Sequence, residues 1–362
     1  MYVKKNYVKK INRTRSGISK VNDNKAFFLD RNEKIVEYDK YTLNKIQKKI
    51  SKLNLGHYPD LDLFYKELSK WLRISSDNLF LTDGVSGAIK NLLEVYTDPY
   101  KNNEVIYISP SFALYSVFTD LYNVKAKLVE YNKNYDVEEK SIFKKINKKT
   151  SIIFLQFPNM PIEGNISKNF IEKIANICDK KKIILAIDEV YFPFSNESCI
   201  NLIKKFKNIV IMRSFSKAFG LASIRLGYMC ANKEVIDYVS KFRSGYETNT
   251  LSVSIASVLM SNYGKVLENV KIIKNGILFL KSNLKKNNIY FTGGNKGNFL
   301  FIHLNSEVAA KKIYKELKKN KIYIRIGWPK PFNSGLSVTG APINIMKIFL
   351  RKFLLAYNKF NK

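Results

Sequence analysis

The 362 residues, 46% of them hydrophobic, suffice for one large domain with a smaller companion. No apolar run reaches the length of a membrane span, and residues 1–10 are basic and polar, without the apolar segment of a secretory signal; a cytoplasmic protein is expected. The net charge of +32, from 62 basic and 30 acidic residues, would suit nucleic acid or an anionic membrane, but lysines spread over polar helix faces such as residues 45–49 and 311–319 argue against both as partners.

Residues 1–26 read as a basic arm, and residues 27–33 as a short extended piece ending in polar side chains. Helices are expected over residues 42–53 and up to residue 72, separated by a turn at 56–60. Strand and helix then alternate. Strands are expected at 79–82, 104–109, 151–157, 182–188, 208–213 and 226–231, and helices at 85–96, 111–122 and 168–181. Continuous apolar strands separated by helices imply a parallel sheet covered on both faces. From residue 249 the pattern changes. A long helix to about residue 285 precedes strands at 290–294, 298–304, 322–325 and 336–339, a helix at 306–319 and a final helix, together an α+β unit.

In a parallel α/β sheet the ligand site lies off the carboxyl ends of the strands. Asp83, Pro110, Asn159, Asp188 and Ser214 all sit at such ends, which argues for a shared site. Residues 83–87, Asp-Gly-Val-Ser-Gly, open a helix after a strand, where backbone N–H groups and the helix dipole suit a phosphate; an ordinary glycine turn is the plainer alternative. Asp188 and Glu189 close a buried strand and need partners there, a cationic ligand nitrogen or a salt bridge. Lys217 follows two serines, Ser214 and Ser216, in a turn of small residues, with Arg225 eight positions on. A buried amine is a device for Schiff-base chemistry, and serine with arginine suits a phosphate. Only two histidines occur, in no triad or metal-like arrangement, and Cys178, Cys199 and Cys230 fall in apolar surroundings that suit buried thiols.

The run from Asp188 through Tyr191 to Ser214-Phe-Ser216-Lys217 and Arg225, with the lysine 29 positions after the acid, resembles the signature of fold-type I pyridoxal-phosphate enzymes, and within them the histidinol-phosphate aminotransferase family and its relatives. Segments at 30–33, 58–60, 83–87, 110–112, 158–161 and 243–249 extend the resemblance over most of the chain. It implies an aspartate-aminotransferase-like α/β fold, with a mostly parallel large-domain sheet and a smaller α+β domain. Residues 42–248 would form the large, cofactor-binding domain, 249–362 a linking helix and the small domain, and 1–41 an arm that joins the small domain.

The resemblance also implies roles. Lys217 forms the Schiff base and moves the substrate proton; Asp188 pairs with the pyridine nitrogen; Tyr191 donates to the phenolic oxygen; Phe112 stacks on the ring. Ser214, Ser216, Arg225 and the backbone at Val85 and Ser86 hold the phosphate, and Tyr58 reaches the phosphate of a partner subunit in a homodimer with shared sites. Asn32, Arg243 and Arg325 are candidates for holding substrate. Two positions depart from the family pattern. Its second asparagine in Pro-Asn-Asn-Pro-Thr-Gly, which bonds the cofactor oxygen, falls on Met160, with Asn159 a substitute, and its arginine in Leu-Arg-Val-Thr falls on Ser337. Arg13, Arg15, Arg31, Arg243 and Arg325 could supply the missing anchor. The resemblance implies an aminotransferase acting between an α-amino acid such as glutamate and a small phosphorylated carbonyl compound. Ser337 keeps open a decarboxylase of phosphoserine or phosphothreonine.

Overall fold

The computed structural model describes residues 7, 8, 11, 26–98 and 100–361. Arg13 and Arg15, and nearly all of the expected arm, lie outside the described residues. In chain order the described part contains β1 (Phe27–Leu29), α1 (Lys40–Ile50), α2 (Asp62–Leu72), β2 (Leu79–Thr82), α3 (Gly84–Tyr96), β3 (Glu104–Ser109), α4 (Leu114–Leu121) and β4 (Lys125–Glu130). It continues with α5 (Glu139–Phe143), β5 (Thr150–Gln156), α6 (Lys168–Lys180), β6 (Ile184–Asp188), β7 (Ile209–Ser214), β8 (Gly227–Ala231), α7 (Lys233–Ser240) and α8 (Thr250–Ser261). The last elements are α9 (Tyr263–Lys286), β9 (Phe291–Gly293), β10 (Phe299–His303), α10 (Glu307–Lys319), β11 (Ile322–Ile324), β12 (Gly335–Thr339) and α11 (Ile343–Phe360).

Seven strands form one sheet in the order β2-β8-β7-β6-β5-β3-β4. Only β8 runs antiparallel to its neighbours. Strands β5, β6 and β7 are almost wholly buried, as their unbroken apolar sequences require of strands covered on both faces. Edge strand β4 alternates lysine with apolar residues and is mostly exposed, a composition that discourages pairing with another chain. The expected long helix is two helices. Asn262 leaves helical geometry at φ −114° and ψ 40°, and its side-chain amide donates to the carbonyl of Val258, so the chain turns between α8 and α9.

Apolar side chains form two clusters. One surrounds the seven-stranded sheet; the other gathers α10, α11, the second half of α9 and the β9, β10 and β12 sheet. Helix α9 belongs to both, with Val266 to Ile277 facing the first cluster and Leu280 and Leu284 the second. Strand β1 pairs in parallel with β11, so the chain enters through the second cluster before building the first. Leu29 is fully buried there, which brings Asp30 to Glu33 to the cleft between the clusters.

At the end of β6 two adjacent acids take separate tasks. Asp188 belongs to the cavity described below, whereas Glu189 accepts from Arg213 on β7, at 3.0 Å from Nε and 2.8 Å from Nη2. Ser198 Oγ and the backbone N–H of Cys199 also donate to Glu189, and the Arg213 guanidinium lies over the Phe192 ring at 3.7 Å. Both charges are buried and both are satisfied, the condition under which a buried ion pair is tolerated. Arg213→Met leaves the Glu189 carboxylate buried without its cation, so the variant should lose about 3–5 kcal/mol in urea unfolding. The double variant with Glu189→Gln should recover much of that loss.

Candidate active site

A cavity of about 340 Å³ opens at the carboxyl ends of β5, β6 and β7, between the two apolar clusters. Parallel pairing sets Gln156, Asp188 and Met212 side by side, so Gln156 and Asp188 reach the cavity floor together. Asp188 is fully buried. Its Oδ2 accepts from Tyr115 at 2.8 Å and its Oδ1 from the backbone N–H of Val190 at 3.0 Å. Burial pushes its carboxyl up to about 7, and these donors only partly oppose that. A cation placed against it would restore the carboxylate.

Lys217 follows β7 in a turn closed by Gly220 N–H donating to the Lys217 carbonyl and Leu221 N–H to that of Phe215. Its Nζ donates to the carbonyl of Arg31 at 2.8 Å. Burial draws this amine down to about 8; nearby Arg225 and Arg325 lower it too, while Glu33 and Asp188 act the other way. A lysine so placed holds a sizeable neutral fraction near neutral pH, as a nucleophilic amine requires.

The far end of the cavity is built for an anion. Helix α3 begins at Gly84 without any side-chain cap, so its first N–H groups, at Gly84, Val85 and Ser86, remain for a ligand. Gly84 has a φ of +62°, and a Cβ there would stand 3.1 Å from Arg225 Nη2 and 3.8 Å from Ser214 Oγ. Arg225 Nη2 donates to Ser86 Oγ at 3.2 Å, and its Nε lies 3.2 Å from Asp83 Oδ1. Ser214 Oγ donates to Ser216 Oγ at 2.9 Å and accepts from the Ser216 N–H. Phe112 and Val190 line the same cavity.

Tyr191 lines the same cavity; its hydroxyl oxygen accepts from Asn32 Nδ2 at 2.8 Å and donates to Met160 Sδ at 2.9 Å. Arg325 also lines the cavity, its guanidinium stacked on the Trp328 ring at 3.9 Å and without a carboxylate partner among the described residues. The backbone of Arg325 bridges to Ser337 on β12, whose hydroxyl is buried without a hydrogen-bond partner.

Three expected residues lie elsewhere. Asn159 is buried outside the cavity lining, its amide donating to the carbonyls of Pro110 and Met160 and to Tyr131 Oη, so it does not stand in for the asparagine missing at 160. Arg243 follows α7 and lines a separate surface recess with Phe80 and Glu247, not the cavity. Tyr58 is 81% exposed and stacks on Tyr246 at 5.0 Å, away from the cavity within its own chain.

Sequence reading missed Tyr115, Gln156 and Glu163. Strand register brings Gln156 to the floor, and Tyr115 is reachable only through the packing of α4. Glu163 carried one signal, an acid inside an apolar loop. At a φ of +76° its carboxylate accepts the backbone N–H groups of Asn295, Lys296 and Gly297 from the loop between β9 and β10.

These groups fit pyridoxal 5′-phosphate: an anion seat at one end, a raised carboxyl for a pyridine nitrogen at the other, and a lysine amine between. The model of the family described as aminotransferase class I and II matches residues 29–333. Histidinol-phosphate aminotransferase from Christiangramia forsetii is 32% identical over 75% of this chain and 77% of its own length; the one from Pyrococcus furiosus is 26% identical over 84% and 85%. A solved histidinol-phosphate aminotransferase from Sinorhizobium meliloti, in complex with pyridoxal 5′-phosphate, superposes with a TM-score of 0.83 at 16% identity, covering 92% of this chain and 91% of that one. The chain belongs to the aminotransferase class I and II family: it is a fold-type I, pyridoxal-phosphate-dependent aminotransferase similar to the histidinol-phosphate aminotransferases.

Proposed function

We propose that this enzyme moves an amino group from an α-amino acid, glutamate in the first instance, to a small carbonyl compound that carries a phosphate. The observation that carries the reading is the meeting of Lys217, Asp188, Ser214 and Arg225 with the guanidinium of Arg325 in one cavity. When bound, pyridoxal phosphate supplies an electron sink for the pair released as the substrate's Cα–H bond breaks. Lys217 would hold the cofactor and, once released as a free amine, would take up and return the substrate's Cα proton. Asp188 keeps the pyridine nitrogen protonated, and Tyr115 and the Val190 N–H aim its carboxylate. Ser214, Ser216, Arg225 and the first turn of α3 hold the cofactor phosphate, Phe112 covers the ring, and Tyr191 donates to the phenolic oxygen. Arg325 binds the substrate's anionic group, with Trp328 fixing the guanidinium plane.

Features of the chain also support a reading of its assembly and location. Leu55, Tyr58, Tyr246 and Leu251 form an exposed apolar patch, and we assign it to a second copy of this chain, in which Tyr58 reaches the partner's cofactor phosphate. The three cysteines are free and buried, and no described helix is long and apolar enough to cross a membrane; both suit a cytoplasmic enzyme.

Product analysis, substitution of the anion anchor, pH dependence and assembly test this reading. Glutamate with phosphorylated aldehydes and ketones should yield 2-oxoglutarate and the aminated product by mass; carbon dioxide released from phosphoserine without an acceptor would instead make the enzyme a decarboxylase. On the same assay Arg325→Lys should raise KM for the anionic substrate about tenfold or more, as expected when a bidentate anchor becomes a point charge. Because the neutral amine is the nucleophile, attachment of added cofactor to cofactor-free protein should accelerate with rising pH about a midpoint near 8, and Lys217→Ala should abolish the visible band. Sedimentation should give a dimer, and mixing Lys217→Ala with Tyr58→Phe chains should restore activity that neither has alone.

A further inference from the structure

The phenolic end of the cavity holds an arrangement that neither the anion seat nor the Asp188 end requires. Met160 lines the wall beside Tyr191, and a thioether has no proton to donate. Beside both on the same cavity wall stands Asn32, whose polar groups are all engaged. Its backbone N–H donates to Thr339 Oγ1 at 2.9 Å, and its carbonyl accepts from Asn298 Nδ2 at 3.0 Å. Its side-chain Oδ1 accepts from Thr339 Oγ1 at 3.1 Å. With the Thr339 hydroxyl donating to Oδ1, Nδ2 is the atom directed at the Tyr191 hydroxyl, 2.8 Å away, and it also reaches Met160 Sδ at 3.4 Å. The backbone of Asn32 has a φ of +55°, a conformation asparagine tolerates better than most side chains.

A tyrosine hydroxyl has one proton and two lone pairs. The amide N–H of Asn32 occupies one lone pair of the Tyr191 oxygen. The Tyr191 proton rests on Met160 Sδ, a weak acceptor that a negatively charged phenolic oxygen would displace. An oxygen that accepts one hydrogen bond becomes a stronger donor through its own O–H. We propose that Asn32 is a positioning residue for the cofactor. It acts through Tyr191, so that donation to the phenolic oxygen comes from an Asn32–Tyr191 relay and not from two groups that touch the oxygen side by side. The network also ties this donation to β12 and to Asn298, since Thr339 and Asn298 hold Asn32 from the second apolar cluster. This inference rests on the proposed attachment of the cofactor at Lys217.

Donation from Tyr191 draws negative charge from the phenolic oxygen and weakens its hold on the proton it shares with Lys217 Nζ. The pH midpoint of the loaded protein's visible band therefore reports the relay directly. Asn32→Asp keeps tolerance of positive φ and an oxygen for Thr339, but turns an acceptor toward Tyr191 and diverts the tyrosine proton from the cofactor. The midpoint should rise by about one pH unit, the scale of one hydrogen bond to a charged group. Met160→Asn restores a direct donor and should lower the midpoint by a similar amount. In a Tyr191→Phe background the Asn32→Asp shift should vanish while the Met160→Asn shift persists. An unchanged midpoint in Asn32→Asp, or an equal rise with and without the tyrosine hydroxyl, overturns the relay and leaves the aminotransferase reading intact. A loaded protein with no visible band, or one that survives Lys217→Ala, overturns the attachment and the relay together.

Discussion

The register of β5, β6 and β7 is the constraint on which the site depends. Backbone pairing sets Gln156 beside Asp188 and Asp188 beside Met212, so the ends of three buried strands lie level. Polar groups cannot occur within these strands without partners, and they collect where the strands stop. Asp188 and the Ser214–Lys217 turn therefore share one rim. Residues 30–33 after β1 and Arg325 after β11 supply the other rim, and Thr339 on β12 and Asn298 before β10 hold Asn32 there.

Two neighbouring acids at the end of β6 illustrate how burial is resolved in opposite ways. Glu189 has a guanidinium, a hydroxyl and a backbone N–H, and is complete within the protein. Asp188 has a phenol and one N–H but no cation in contact, and its carboxyl rises toward neutrality. The first arrangement is structural because nothing is left for a ligand. The second leaves an electrostatic demand inside the cavity, which a pyridinium nitrogen would answer. Lys217 carries the matching deficit, an amine kept partly neutral by the same burial.

Much of this was legible in the chain. Strands β5, β6 and β7 stand out as unbroken apolar runs, and the residues just past them give the convergence of Asp188, Ser214 and Lys217. Less regular elements were not. Strand β4 carries two lysines among its six residues, α5 spans only five residues, and α7, though amphipathic, has only eight residues and is separated from β8 by one residue. The break at Asn262 escaped because apolar spacing continues through it, and only the backbone conformation separates α8 from α9. At the site, the substitutions at 160 and 337 could be seen, but not their answers. Asn159 sits next to Met160 in sequence, yet its amide turns to Pro110 and Tyr131, while Asn32, 128 positions away, meets Met160 through the pairing of β1 with β11. Adjacency in sequence pointed to an amide that Pro110, Tyr131 and the Met160 carbonyl already engage.

The Pro158 to Gly164 loop is held at two points by bonds that need no ligand: the Asn159 amide at its start and the Glu163 carboxylate, gripped by three N–H groups, near its end. Met160 lies between them and forms cavity wall. The conformational entropy of this segment is therefore given up during folding and not when the cofactor arrives. Binding energy at the phenolic end is free to be expressed as affinity, since that wall already has its final shape.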